Sequence, residues 1–74
     1  MVVAERAWAE ANGLKPAARL VSYGVAAVEP GFFGLGPVPA VRQALARAGW
    51  QVSDVDRIEV NEAFAAIAIA STRE

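Results

Sequence analysis

Asn61 and Glu62 stand side by side between a short β-branched run, Arg57-Ile58-Glu59-Val60, and the stretch Ala63 to Ala70, which holds only Ala, Phe and Ile. The spacing predicts a brief strand running into an apolar helix, and such junctions are where open α/β folds bind their ligands. A neutral amide there can orient a water without titrating, and preorganised donors matter most where charge develops. Glu62 can be read as a general base. A carboxylate in a first helical turn is, however, held in its ionised form by the helix dipole, so structural support is the better reading. Taken alone, Asn61 is equally a preferred N-cap, and Phe64 is equally a core residue.

Composition limits what this pair can do unaided. The chain has no cysteine and no histidine, so it carries no thiol nucleophile, no zinc-thiolate site and no imidazole base. Seven basic and eight acidic residues leave a formal charge of −1, which offers no field to attract nucleic acid or an anionic membrane. No apolar run approaches the length of a membrane span, and Glu5 and Arg6 break any signal-like start. The expectation is a cytoplasmic protein that binds no metal.

The elements that must position Asn61 follow from periodicity. Ala4, Ala7, Trp8 and Ala11 fall on one stripe and Asn12-Gly13 is a stop signal, which predicts a helix over about 2–12. Residues 17–29 are Val-rich and largely apolar on both alternating faces, predicting a strand covered on both sides, with Leu20, Ser22, Gly24, Ala26 and Val28 on one face. Gly24 marks a bend or a close backbone approach. A Gly/Pro-punctuated loop over 30–37 leads to a helix over about 38–48, with Val41, Ala44, Leu45 and Ala48 inward, Arg42, Gln43 and Arg47 outward, and Gly49 as its stop. Ser53 and Asp56 resemble a capping box before a strand at 57–60. Helix 62–71, apolar all round, must be buried. The fold class is therefore α/β, in the order helix, strand, helix, strand, buried helix, within a single partial domain over 1–74.

Two motifs in fixed order carry a family resemblance. Asn61-Glu62-Ala63-Phe64-Ala65, following Ile58-Glu59-Val60, and Gly34-Leu35-Gly36-Pro37-Val38-Pro39-Ala40 upstream resemble the thiolases, that is, the acetyl-CoA acetyltransferases and 3-ketoacyl-CoA thiolases. The likeness runs from about Ala4 to Ala70, yet it corresponds to a minor part of such an enzyme. It implies a layered thiolase-like fold, a homodimeric or homotetrameric parent, and acyl transfer between acyl-CoA and CoA through a cysteine thioester. It implies a coenzyme A thioester as substrate and no covalently bound cofactor. The family's nucleophilic cysteine lies upstream of this region, and its G-H-P histidine and second cysteine lie downstream, so the chain alone is expected to be inactive.

By resemblance, Asn61 holds a water that stabilises the enolate oxygen, Glu62 belongs to the surrounding polar network, and Phe64 lies beside the pantetheine arm. Phe33 stands where some biosynthetic members carry a methionine lining the acyl pocket. Two other classes stay open at this point: a catalytically silent module that packs against a thiolase partner, and an unrelated α/β ligand-binding fragment. Gly34-Leu35-Gly36 is a poor dinucleotide fingerprint, because prolines replace the tight strand-to-helix glycine turn. A chain this short buries only about 60% of its unfolded surface. With 55% hydrophobic residues, something else is expected to cover part of it.

Overall fold

Three α-helices and two 3₁₀ turns account for all the regular structure in the computed structural model, which describes residues 1–74. Helix α1 spans Arg6–Ala11, α2 spans Pro37–Ala48 and α3 spans Ala65–Arg73; the 3₁₀ turns are Pro30–Leu35 and Val52–Asp54. The chain is drawn out, with extents of 47 × 24 × 21 Å and a radius of gyration of 15.5 Å. A compact chain of this length would have a radius of about 11 Å.

Helix α2 is the best-formed element, and its ends explain why. Pro37 occupies the first turn, where its missing N–H is not needed. At the other end Gly49 takes a left-handed φ of 71°, Trp50 N–H bonds Leu45 O at 3.0 Å and Gly49 N–H bonds Ala46 O at 3.2 Å. This paired closure satisfies carbonyls that would otherwise be orphaned. Helix α1 stops the same way, with Leu14 N–H on Ala9 O at 2.9 Å and Gly13 N–H on Glu10 O at 3.1 Å. Only six residues are helical there, rather than 2–12, and Ala9 is the buried residue while Trp8 of the expected inward stripe is 54% exposed. The turn at Asn12-Gly13 folds Leu14 back onto Ala9, and no neighbouring layer meets Trp8.

Neither expected strand forms a ladder. Residues 17–29 and 57–60 run without regular structure, and no backbone–backbone hydrogen bond outside the helices involves residues 15–28 or 56–60. A strand is defined by its partner, and no element within these 74 residues pairs with either segment. Residues 21–29 nevertheless alternate strictly, with Ser22, Gly24, Ala26 and Val28 half-buried and the odd-numbered residues exposed. Period-two burial of this kind is the geometry of extended chain laid on a helix.

That helix is α2, and the contact is intimate. Gly24 lies so close to the Ala40–Ala44 ridge that an added Cβ would overlap the Ala40 carbonyl oxygen and sit 2.9 Å from the Ala40 carbonyl carbon and 3.0 Å from Ala44 N. Around it Ser22 Oγ donates to Ala44 O at 2.7 Å, Val25 N–H donates to Gln43 Oε1 at 2.9 Å, and Arg47 Nη1 donates to Tyr23 O at 2.7 Å. The Arg47 guanidinium also lies 5.5 Å from the centre of the Tyr23 ring. Gln43 and Arg47 therefore do not point outward as their polarity suggests. One helical turn apart, they reach sideways to the backbone of the extended segment.

The second turn is capped differently from the expected Ser53/Asp56 pair. Gln51 is the N-cap, and its N–H donates to Asp54 Oδ2 at 2.8 Å. The loop expected at 30–37 is mostly the 3₁₀ turn, kinked at Phe32, and α3 packs against it. Helix α3 is shifted from 62–71 to 65–73 and is not buried: Ile67 is 8% exposed but Ile69 is 51% exposed. A helix apolar on every face is built for burial between layers, and here only one face is covered. The same holds across the molecule, since Ala9 and Ile67 are the only buried residues and neither is fully enclosed. The isolated chain should accordingly enhance the fluorescence of an anilinonaphthalene dye severalfold, as loosely packed states do; fluorescence no higher than with a compact control protein would contradict this picture.

Candidate functional site

Asn61 and Glu62 follow the irregular residues 57–60, both exposed, three and two residues ahead of the N-cap of α3. The N-cap is Phe64, in extended conformation with φ −143° and ψ 143°, and no side chain caps it. Asn61 accepts from Ala63 N–H through its carbonyl at 3.0 Å, closing a tight turn, and its side-chain amide makes no hydrogen bond within the chain. This removes the capping explanation of Asn61. It also removes the dipole argument for Glu62, which precedes the helix rather than occupying its first turn. An amide that neither caps nor bonds its neighbours is free to hold a water or a ligand atom.

Phe64 turns toward the upstream turn. Its ring meets that of Phe33 edge-on, with centroids 6.2 Å apart and planes at 75°, a favourable arrangement for two aromatic quadrupoles. Both residues line an open cleft of about 490 Å³ between the 3₁₀ turn and α3, lined also by Phe32, Leu35, Ala66, Ile67 and Ala70. No charged side chain is among the lining residues. The structure thus brings together Phe33 and Phe64, which lie 31 positions apart (64 − 33), and sets Asn61 three residues from that wall.

Sequence reasoning did not single out Ile67, Ala66 and Ala70 as cleft residues. The signal that could have found them is their spacing: Ala66 and Ala70 are one helical turn apart and Ile67 is adjacent, on the face that follows Phe64 around the helix. Gly34 was legible as a turn residue, and it lies against α3. A Cβ there would meet Ile67 Cγ1 at 3.5 Å, an ordinary contact, so the 3₁₀ turn sits on the one buried residue of α3 without requiring a glycine.

The comparisons with known proteins agree with one another. Residues 14–74 match the family model described as the thiolase C-terminal domain. A β-ketothiolase of Cupriavidus necator is 64% identical over 73 residues, covering 99% of this chain and 18% of that protein. The cytosolic acetyl-CoA acetyltransferase of Mus musculus is 50% identical over 74 residues, covering 100% of this chain and 19% of that protein. The crystal structure of the Bacillus anthracis acetyl-CoA acetyltransferase superposes with a TM-score of 0.87 at 44% identity, over 92% of this chain and 17% of the other. The chain thus spans less than a fifth of the length of these relatives. With a family model matched over most of its residues and a superposition at this level, the chain belongs to the thiolase family.

Proposed function

We propose that these residues form one wall of the active site of an acyl-CoA C-acyltransferase, which condenses two acyl-CoA molecules or cleaves a 3-ketoacyl-CoA with coenzyme A. The observation that carries this reading is the unbonded Asn61 amide three residues ahead of Phe64, whose ring packs on Phe33 in an apolar cleft, in a chain of this family. In either direction of the reaction an enolate develops at a thioester, and its oxygen gains negative charge. Asn61 orients a water toward that oxygen. The amide carries no formal charge and does not titrate, so it remains a constant hydrogen-bonding partner. Phe64 and Phe33 supply an apolar surface for the uncharged acyl and pantetheine chains. Glu62, exposed and ahead of the helix, contributes to the polar surroundings rather than to proton transfer.

The nucleophile and base come from elsewhere in the enzyme, because the chain has neither cysteine nor histidine. In the complete layered fold, the extended segments 17–29 and 57–60 become strands of one sheet, with α2 as the crossover between them. Two features support this: period-two burial at 21–29, and the absence of any backbone–backbone ladder along both segments. The uncovered faces of α3, Trp8 and Tyr23 then meet further layers. We place the parent enzyme in the cytoplasm, as the name of the mouse relative places that protein, and as a dimer or tetramer. No helix is long and apolar enough to cross a membrane.

Purified residues 1–74 are expected to show no thiolysis of acetoacetyl-CoA, followed as loss of its magnesium-enolate absorbance in the presence of coenzyme A. Reproducible turnover above a blank would overturn the assignment of the nucleophile and base to the rest of the enzyme.

A further inference from the structure

The chain around Gly24 has two edges, and α2 treats them differently. In extended chain the N–H and C=O of one residue point to the same edge, and those of the next residue to the opposite edge. Tyr23 and Val25 therefore share an edge, and the groups that flank Gly24 there are taken by side chains: Arg47 Nη1 donates to Tyr23 O at 2.7 Å, and Val25 N–H donates to Gln43 Oε1 at 2.9 Å. These are the two groups that a single residue of a parallel neighbouring strand would bond. No side chain reaches the backbone of Ser22, Gly24 or Ala26, which lines the other edge. Helix geometry says which edge is taken. With about 3.6 residues per turn, Val41, Leu45 and Ala48 project to one flank of the Ala40–Ala44 ridge that meets Gly24, and Gln43 and Arg47 project to the other. The first flank shares a cleft with Arg57, Ile58 and Glu59, and neither Gln43 nor Arg47 lines it. The edge taken by side chains is the one remote from residues 57–60.

We infer that Gln43 and Arg47 close this remote edge in the complete enzyme, so that over 23–25 the segment accepts a neighbouring strand only on the side of residues 57–60. A strand added to the remote edge stops short of Tyr23. This rests on the reading above that segment 17–29 joins the sheet of the parent enzyme. An open edge is a template for wrong pairing, and a charged side chain laid on it blocks that pairing. Arg47 is held in place twice, because its guanidinium also lies 5.5 Å from the centre of the Tyr23 ring. Gln43, half-buried, supplies the acceptor that Val25 N–H needs without adding a charge.

The test uses a complete thiolase in which residues 1–74 replace the equivalent segment of the Cupriavidus necator β-ketothiolase, to which they are 64% identical over 73 residues. Amide hydrogen exchange at Val25 is measured in this enzyme, in Gln43→Met, which keeps the length of the side chain and loses its acceptor, and in Gln43→Glu, which keeps an acceptor. Exchange at Val25 is expected to speed by about tenfold or more in Gln43→Met, as it does when a protecting hydrogen bond opens locally. Gln43→Glu should retain the protection, and the Leu20 amide should be the same in all three. Equal protection of Val25 in Gln43→Met overturns the inference, because a main-chain carbonyl of a neighbouring strand then holds that amide. Should Gln43→Met fail to fold, the crystal structure of the unsubstituted enzyme decides: Gln43 Oε1 on Val25 N–H and Arg47 on Tyr23 O uphold the closed edge, and a strand paired with either group overturns it. A folded enzyme that turns over no acyl-CoA counts against the active-site reading, while the exchange at Val25 still decides this one.

Discussion

Gly24→Ala, introduced into a complete thiolase carrying this segment, is expected to be the most destabilising single-methyl change available in it. The methyl would overlap the Ala40 carbonyl oxygen and press on Ala44 N at 3.0 Å, and both are backbone atoms in the middle of α2. Backbone in a helix cannot rotate aside as a side-chain end can, so the extended segment must lift. Lifting it pulls Ser22 from Ala44 O, Val25 from Gln43 and Tyr23 from Arg47 together, because all three hydrogen bonds flank Gly24 within two residues. Overpacking alone costs about 1–3 kcal/mol, and each hydrogen bond lost adds about 0.5–1.5 kcal/mol. A drop in Tm of several degrees, or insoluble protein, is the expected result. Gly31→Ala is the control, since a Cβ there meets nothing within 4 Å and the backbone is not left-handed. If the two variants melt together, the close approach at Gly24 is not a feature of the assembled fold.

Asn61→Ala in the same enzyme is expected to lower kcat by about 10- to 100-fold while leaving Tm nearly unchanged. Removing a direct oxyanion donor costs about 10² to 10³ in rate, and a residue acting through a water contributes less. The structure makes the second half of the prediction specific. Were Asn61 the N-cap of α3, its loss would cost about 1 kcal/mol of stability. The cap is Phe64 instead, and the Asn61 amide bonds nothing in the chain. A fall in activity that tracks a fall in folded protein would return Asn61 to a structural role, and full activity would remove it from the site.

These two residues also mark how far the amino-acid order reaches. Gly24 was legible as a close approach because a glycine inside a Val-rich extended run has few other uses, but what it approaches was not. Asn61 was singled out by its motif, whereas its cap-like position misled: an Asn before an apolar run looks like a helix start whether the helix begins at once or three residues later. Gln43 and Arg47 were misplaced for a related reason. Polarity says that a side chain needs a hydrogen-bonding partner, and it does not say whether that partner is water or the backbone of another segment.

What the sequence by itself determined is local or inherited. Helix α2 follows from its apolar stripe, from Pro37 in its first turn and from Gly49 as its stop, all of which act within a few residues. Membership of the thiolases follows from two motifs in order. Tertiary structure alone decided which residues share the cleft, that Phe33 meets Phe64 across the packing of α3 on the 3₁₀ turn, and that segments 17–29 and 57–60 carry no regular structure instead of forming strands. The physical reason is the range of the interactions. A helix satisfies its own backbone hydrogen bonds four residues away, so its sequence is sufficient, while a strand and a cleft wall are completed only by residues distant in the chain.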